Sequence, residues 1–80
     1  MNNLSVSYEG SKNNYLEKKA YDLAESYKGS VVSEFTYESG SFTANFKFNS
    51  AGQERNFQKD LQIASRSVNI ELQFGGEISL

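Results

Sequence analysis

Two stretches of this 80-residue chain alternate apolar and polar residues with a period of two. A period of two specifies strands with one face against a core and one face against water. Phe42, Ala44, Phe46 and Phe48 alternate with Thr43, Asn45 and Lys47. Val68, Ile70, Leu72 and Phe74 alternate with Asn69, Glu71 and Gln73, predicting a final strand over about 67–74. Leu4, Val6 and Tyr8 repeat the device near the N-terminus. Any fold for this chain must cover one side of a sheet and leave the other polar.

The covers are also legible. Leu16, Ala20, Leu23, Ala24 and Tyr27 recur at helical spacing, predicting a helix over about 14–28 with Asn14 as its cap and Glu17 in its first turn. Gly29 is expected to supply the left-handed stop. Ser50 and Gln53 fit a capping box, and Phe57, Leu61 and Ala64 mark a second, thinner stripe over about 51–64. Between the helices, Val31 to Glu38 reads as a strand with Val31, Ser33, Phe35 and Tyr37 on one side. Ser39-Gly40 closes a hairpin that pairs Tyr37 with Phe42, Phe35 with Ala44 and Val31 with Phe48, sets Thr36 opposite Thr43, and leaves Glu34 diagonal to Lys47. Gly75-Gly76 is expected to end the last strand, leaving 75–80 as a tail or short edge strand.

The order strand–helix–strand–strand–helix–strand, with right-handed crossovers, is the ferredoxin-like α+β arrangement. It implies a four-stranded antiparallel sheet in the order 4-1-3-2 with both helices on one face. Without the second helix, the chain would take a β-α-β-β-β shape of cystatin type. The resemblance is to an architecture; no family motif reaches particular residues. Eighty residues make one expected domain, 1–80. A chain this short buries only about 60–65% of its extended surface. Without cysteine, six Phe and five Tyr must supply the core.

Composition removes most chemistry. There is no His and no Cys, so the usual general base, thiolate and zinc ligands are missing. No G-x-S-x-G elbow, P-loop or calcium loop is present. The loop after the first strand offers Lys12 where acylphosphatases of this architecture place an Arg, and a point-like ammonium replaces a bidentate fork poorly. No enzyme activity, cofactor or metal is expected. A net charge of −2, from eight basic and ten acidic residues without a basic run, disfavours nucleic acid and anionic lipid. RNA-recognition domains share the element order but expose aromatics on the central strands. Here Ser5, Ser7, Thr43, Asn45 and Lys47 take those positions. No apolar run approaches a membrane span, and Met1-Asn2-Asn3-Leu4 lacks signal-peptide character, so a soluble cytoplasmic protein is expected. Asn3-Leu4-Ser5 matches the glycosylation pattern by chance.

What remains is binding. Glu34, Glu38 and Glu71, with Lys47 among them, are candidates for a charged docking patch on the open face. The plainer reading is a solvated sheet face. Tyr15 and Tyr21 lie off the helix's core stripe, the position of an interface anchor or of a ring covering the sheet edge. Ile78-Ser79-Leu80 could add as a strand to a partner's edge. The expectation is a small non-catalytic protein-binding module, a monomer or weak dimer, that meets its partner through the polar sheet face, the exposed edge of the second strand or the helix Tyr residues. Inhibitors and adaptors, phage-encoded ones among them, are of this class. Two alternatives stand beside it: a nucleic-acid binder using Lys and Arg backbone contacts, and a self-associating structural or designed domain with no biochemical activity.

Overall fold

The structure is a computed structural model and describes residues 2–77. Its elements are β1 (Asn2–Glu9), α1 (Asn14–Ser26), β2 (Ser30–Glu38), β3 (Ser41–Phe48), α2 (Ala51–Ser67) and β4 (Gln73–Glu77). They form an antiparallel sheet in the order β2-β3-β1-β4, the expected 4-1-3-2 read from the other edge. Leu4, Val6, Tyr8, Ala44, Phe46 and Phe48 point to the helices and are buried. Leu16, Ala20 and Ala24 from α1 and Phe57, Leu61 and Ala64 from α2 close the same core. The ring centroid of Phe57 lies 5.0 Å from Phe46 and 4.9 Å from Phe48, so three aromatics form the centre. The ferredoxin arrangement follows from the alternation in β1 and β3.

The helix ends differ in detail from expectation. Asn13, one residue before the predicted cap, accepts the Leu16 N–H at 2.9 Å. Ser50 caps α2 by accepting the Gln53 N–H at 3.1 Å, which is half of the predicted box. At the end of α1 the left-handed residue is Lys28, φ 61°, and Gly29 is the residue after it. Gly29 N–H donates to Ala24 O and Lys28 N–H to Glu25 O, the paired bonds of a Schellman stop. The end of α2 repeats it with Asn69 at φ 57°, as Ile70 N–H donates to Ser65 O and Asn69 N–H to Arg66 O. A lysine in this region is strained by about 1 kcal/mol, and glycine is not. Lys28→Gly is therefore expected to raise stability by about 1 kcal/mol, seen as a higher urea midpoint at unchanged slope. A lowered midpoint would contradict it.

The last strand corrects the sequence reading. α2 continues to Ser67, Val68 caps it, and Asn69 turns the chain, so 68–72 is a link. The strand is Gln73–Glu77, with Gly75 and Gly76 inside it opposite Ser5 and Leu4. Leu72 is buried in the core without being part of a strand. Residues 75–77 are thus paired to β1, while the candidate strand ending 78–80 lies outside the described residues.

The register of β2 is right at the turn and wrong beyond it. Ser39 and Gly40 both have positive φ, as a two-residue hairpin turn of primed type requires. Glu38–Ser41, Tyr37–Phe42 and Thr36–Thr43 pair as expected. From Thr36 to Val31, β2 takes five steps while β3 takes three, from Thr43 to Phe46, so two extra residues are bulged out. Val31 therefore faces Phe46 instead of Phe48. Ser33 turns to the open face, where its hydroxyl accepts from Asn45 Nδ2 at 2.8 Å. The space beside Phe48 is filled by Gly29.

Candidate functional site

The predicted docking residues are scattered. Glu38 stands opposite Ser41 at the hairpin end of the sheet. Lys47 sits six residues along β3, between Ser30 and Asn3, which at strand rise is about 20 Å away. Glu34 falls in the bulged stretch between Ser33 and Thr36, with no partner on β3 and no ion pair to Lys47 among the described residues. Glu71 is exposed in the link before β4, at the rim of an open cleft of about 480 Å³ lined also by Arg66 and Asn69. The open face between them carries hydroxyls and amides, with Ser7 and Thr43 hydrogen-bonded at 3.0 Å. Phe46 and Phe48 are fully buried and Phe42 half-buried, so the central strands offer no exposed ring for base stacking.

The two helix tyrosines separate. Tyr15 is 54% exposed and flanks a shallow groove of about 350 Å³ with Leu23 and Ile63. Tyr21 is half-buried, its ring centroid 5.9 Å from Phe35 and 6.4 Å from Phe46. Its hydroxyl accepts the backbone N–H of Phe35 at 3.0 Å. Tyr21 covers the sheet edge, the second of the two roles its position allowed.

One feature escaped the sequence reading, and another was placed correctly but with the wrong side chains inward. The first is a buried polar knot where β1 meets α1. Tyr8 is 1% exposed, and its hydroxyl donates to Glu17 Oε2 while accepting the Asn13 N–H at 3.0 Å. Lys12 Nζ reaches Glu17 Oε1 at 2.8 Å and lies 5.7 Å from the Phe42 ring centroid. Burial, reinforced by the Glu17 carboxylate and opposed by the Asn13 amide, pushes the Tyr8 phenol up to about 12. Glu17 is three residues before Ala20 and seven before Ala24, so its place beside the buried stripe was legible in the spacing. The Tyr8 hydroxyl and both Glu17 carboxylate oxygens are engaged, which ties the loop to the helix. A similar pair joins the helices: Tyr27 donates to Asp60, and that bond raises the Tyr27 pKa.

The exposed edge of β2 is where the strand order led one to expect it, but it is more apolar than the alternation implied. Val31, Val32 and Tyr37 are 40%, 58% and 64% exposed on a strand with no outer neighbour. The alternation predicted Val31 and Tyr37 inward, but no helix reaches past the edge to cover them. Among the described residues, no three His, Cys, Asp or Glu side chains gather as a metal site. No described helix is long and apolar enough to cross a membrane.

No family model and no curated protein matches the chain. Solved structures do. A de novo designed protein, Foldit4, superposes with a TM-score of 0.73 over 99% of this chain and 98% of its own, at 10% identity. A second de novo designed protein with a ferredoxin fold, LFR1 1, superposes with a TM-score of 0.64 over 99% and 86%, at 8% identity. Identities this low carry the fold alone, and the chain has the ferredoxin fold.

Proposed function

We propose that this chain is a non-catalytic ferredoxin-fold scaffold with a contact surface at the free edge of β2, used for weak pairing with a second copy. The observation that carries it is the exposure of Val31 and Val32 at one end of β2 and Tyr37 at the other, on a strand whose outer edge has no neighbour. An edge strand presents N–H and C=O groups that another strand can take up. The second copy fits because β2 is bounded by opposite charges, Lys28 just before it and Glu38 at its end. An antiparallel copy centred on Ser33 brings each Lys28 to the other's Glu38 and sets Val31 by Phe35. The likeness to designed proteins supports the scaffold half of the reading, since the same fold stands in chains composed by design.

A protein partner adding a strand to the same edge is the second reading, favoured by the same exposed valines. An inhibitor, an adaptor or a phage protein finds no feature of the geometry to support it. Sedimentation velocity from micromolar to millimolar protein tests the proposal. The expected result is a mass that rises with concentration in the wild type and stays monomeric in Val32→Lys, because a lysine on an edge strand blocks pairing. A wild type that remains monomeric throughout removes the self-pairing.

A further inference from the structure

We propose that the Tyr21 hydroxyl gates the β2 edge, holding the Phe35 amide that a second copy's strand would need and so keeping self-association weak. The gate rests on the self-pairing proposed above. Phe35 belongs to the edge strand, its ring is buried at 8% exposure, and its N–H goes to Tyr21 and not to β3. That amide lies in the stretch between the Ser33–Asn45 and Thr36–Thr43 pairs, where the bulge has already broken the ladder. Tyr21 is well placed to hold it. Its ring is wedged against Phe35 and Phe46, so little side-chain freedom is left to lose when the hydroxyl bonds. The bulged stretch and the side-chain cap at one amide interrupt the middle of β2, the part on which the antiparallel copy is centred. Short, interrupted edges pair poorly with other chains.

Removing the hydroxyl while keeping the ring isolates the gate. Tyr21→Phe frees one edge amide in each copy, and the two hydrogen bonds gained across the twofold interface raise the association constant about tenfold to a hundredfold. The experiment compares wild type, Tyr21→Phe and the double variant Tyr21→Phe/Val32→Lys by sedimentation velocity, with amide exchange at Phe35 read in the wild type. The expected results are stronger association in the single variant, its loss in the double variant, and a Phe35 amide that exchanges more slowly than that of Val32. Equal association in wild type and Tyr21→Phe, with Val32→Lys still monomeric, overturns the gate and leaves the edge pairing standing. Monomers in both wild type and Tyr21→Phe overturn both. Association that persists in the double variant comes from unfolding or another surface and overturns the gate, as does a Phe35 amide exchanging as fast as Val32.

Discussion

Gly29→Ala should cost the fold about 2–3 kcal/mol, among the largest losses available to a single added methyl. Gly29 is not needed for its backbone, because the positive-φ glycines are Gly10 and Gly40. It is needed for what lies over it. A Cβ built there runs into the Phe48 ring, 2.7 Å from Cδ1 and against Cε1, with Lys47 O at 3.0 Å. The ring has no room to retreat, because Phe48 is fully buried against Phe57. The remaining movable part is the Lys28–Gly29 turn, whose bond from Gly29 N–H to Ala24 O is 2.7 Å long. Overpacking therefore strains the stop of α1, the start of β2 and the core together. A domain of this size has about 4–12 kcal/mol of stability in all, so the loss should be plain in a urea titration. Gly52→Ala is the control: its methyl meets open space, and it should lose nothing. If both variants melt like the wild type, the packing over Gly29 is looser than described.

The second large effect is alkaline. An unfolded tyrosine ionises near pH 10, whereas folded Tyr8 keeps its proton until about 12. Between those values the unfolded chain gives up a proton that the folded chain retains, so rising pH favours unfolding. Stability is full below about pH 10 and falls by about 2–3 kcal/mol on the way to about 12. Tyr27, raised by its bond to Asp60, adds to the loss in the same direction. Tyr8→Phe should remove most of this alkaline slope, leaving the Tyr27 part. It should also lower stability at neutral pH by about 1–3 kcal/mol. The reason is that Glu17 then keeps a buried oxygen and Asn13 an N–H without the phenol that served both. Urea titrations of both proteins at pH 8 and at successive steps above 10 make the measurement. A wild-type slope that survives unchanged in Tyr8→Phe would place the titrating group elsewhere.

The polar knot and the β2 edge explain why the fold was easier to read than its surface. Phe46 and Phe48 could face only one way, since a slip of one residue would bury Lys47 and Asn45. Glu17 gave a weaker signal. Its spacing puts it beside the stripe, but a carboxylate there is normally solvated. The phenol of Tyr8, folded back from β1, and the ammonium of Lys12 together make its burial tolerable. Tyr21 was ambiguous for a similar reason: its azimuth on α1 is a local fact, but whether a strand edge lies beneath is not. The candidate charges Glu34, Glu38, Lys47 and Glu71 shared an expected face, and a face says nothing about distance along it.

The failures at Val68–Leu72 and at Ser33 share one cause. Alternation measures side-chain parity and assumes an unbroken backbone. One left-handed residue, Asn69, or one extra residue in a bulge resets parity without changing composition. Ser39-Gly40 was visible because turn chemistry is local, and Lys28 was missed because a left-handed lysine is locally disfavoured and held by the Schellman bonds around it.

By itself the sequence determined the element order, the buried faces of β1, β3 and both helices, and the exclusion of histidine and thiol chemistry. These follow from periodicity and residue type, which act within a few residues. The tertiary structure alone decided that Gly29 lies under Phe48, that Glu17 is held by Tyr8, and that Tyr21 reaches the Phe35 amide. Each joins residues from different elements, and such a meeting depends on how helices settle on a twisted sheet, which no local pattern encodes.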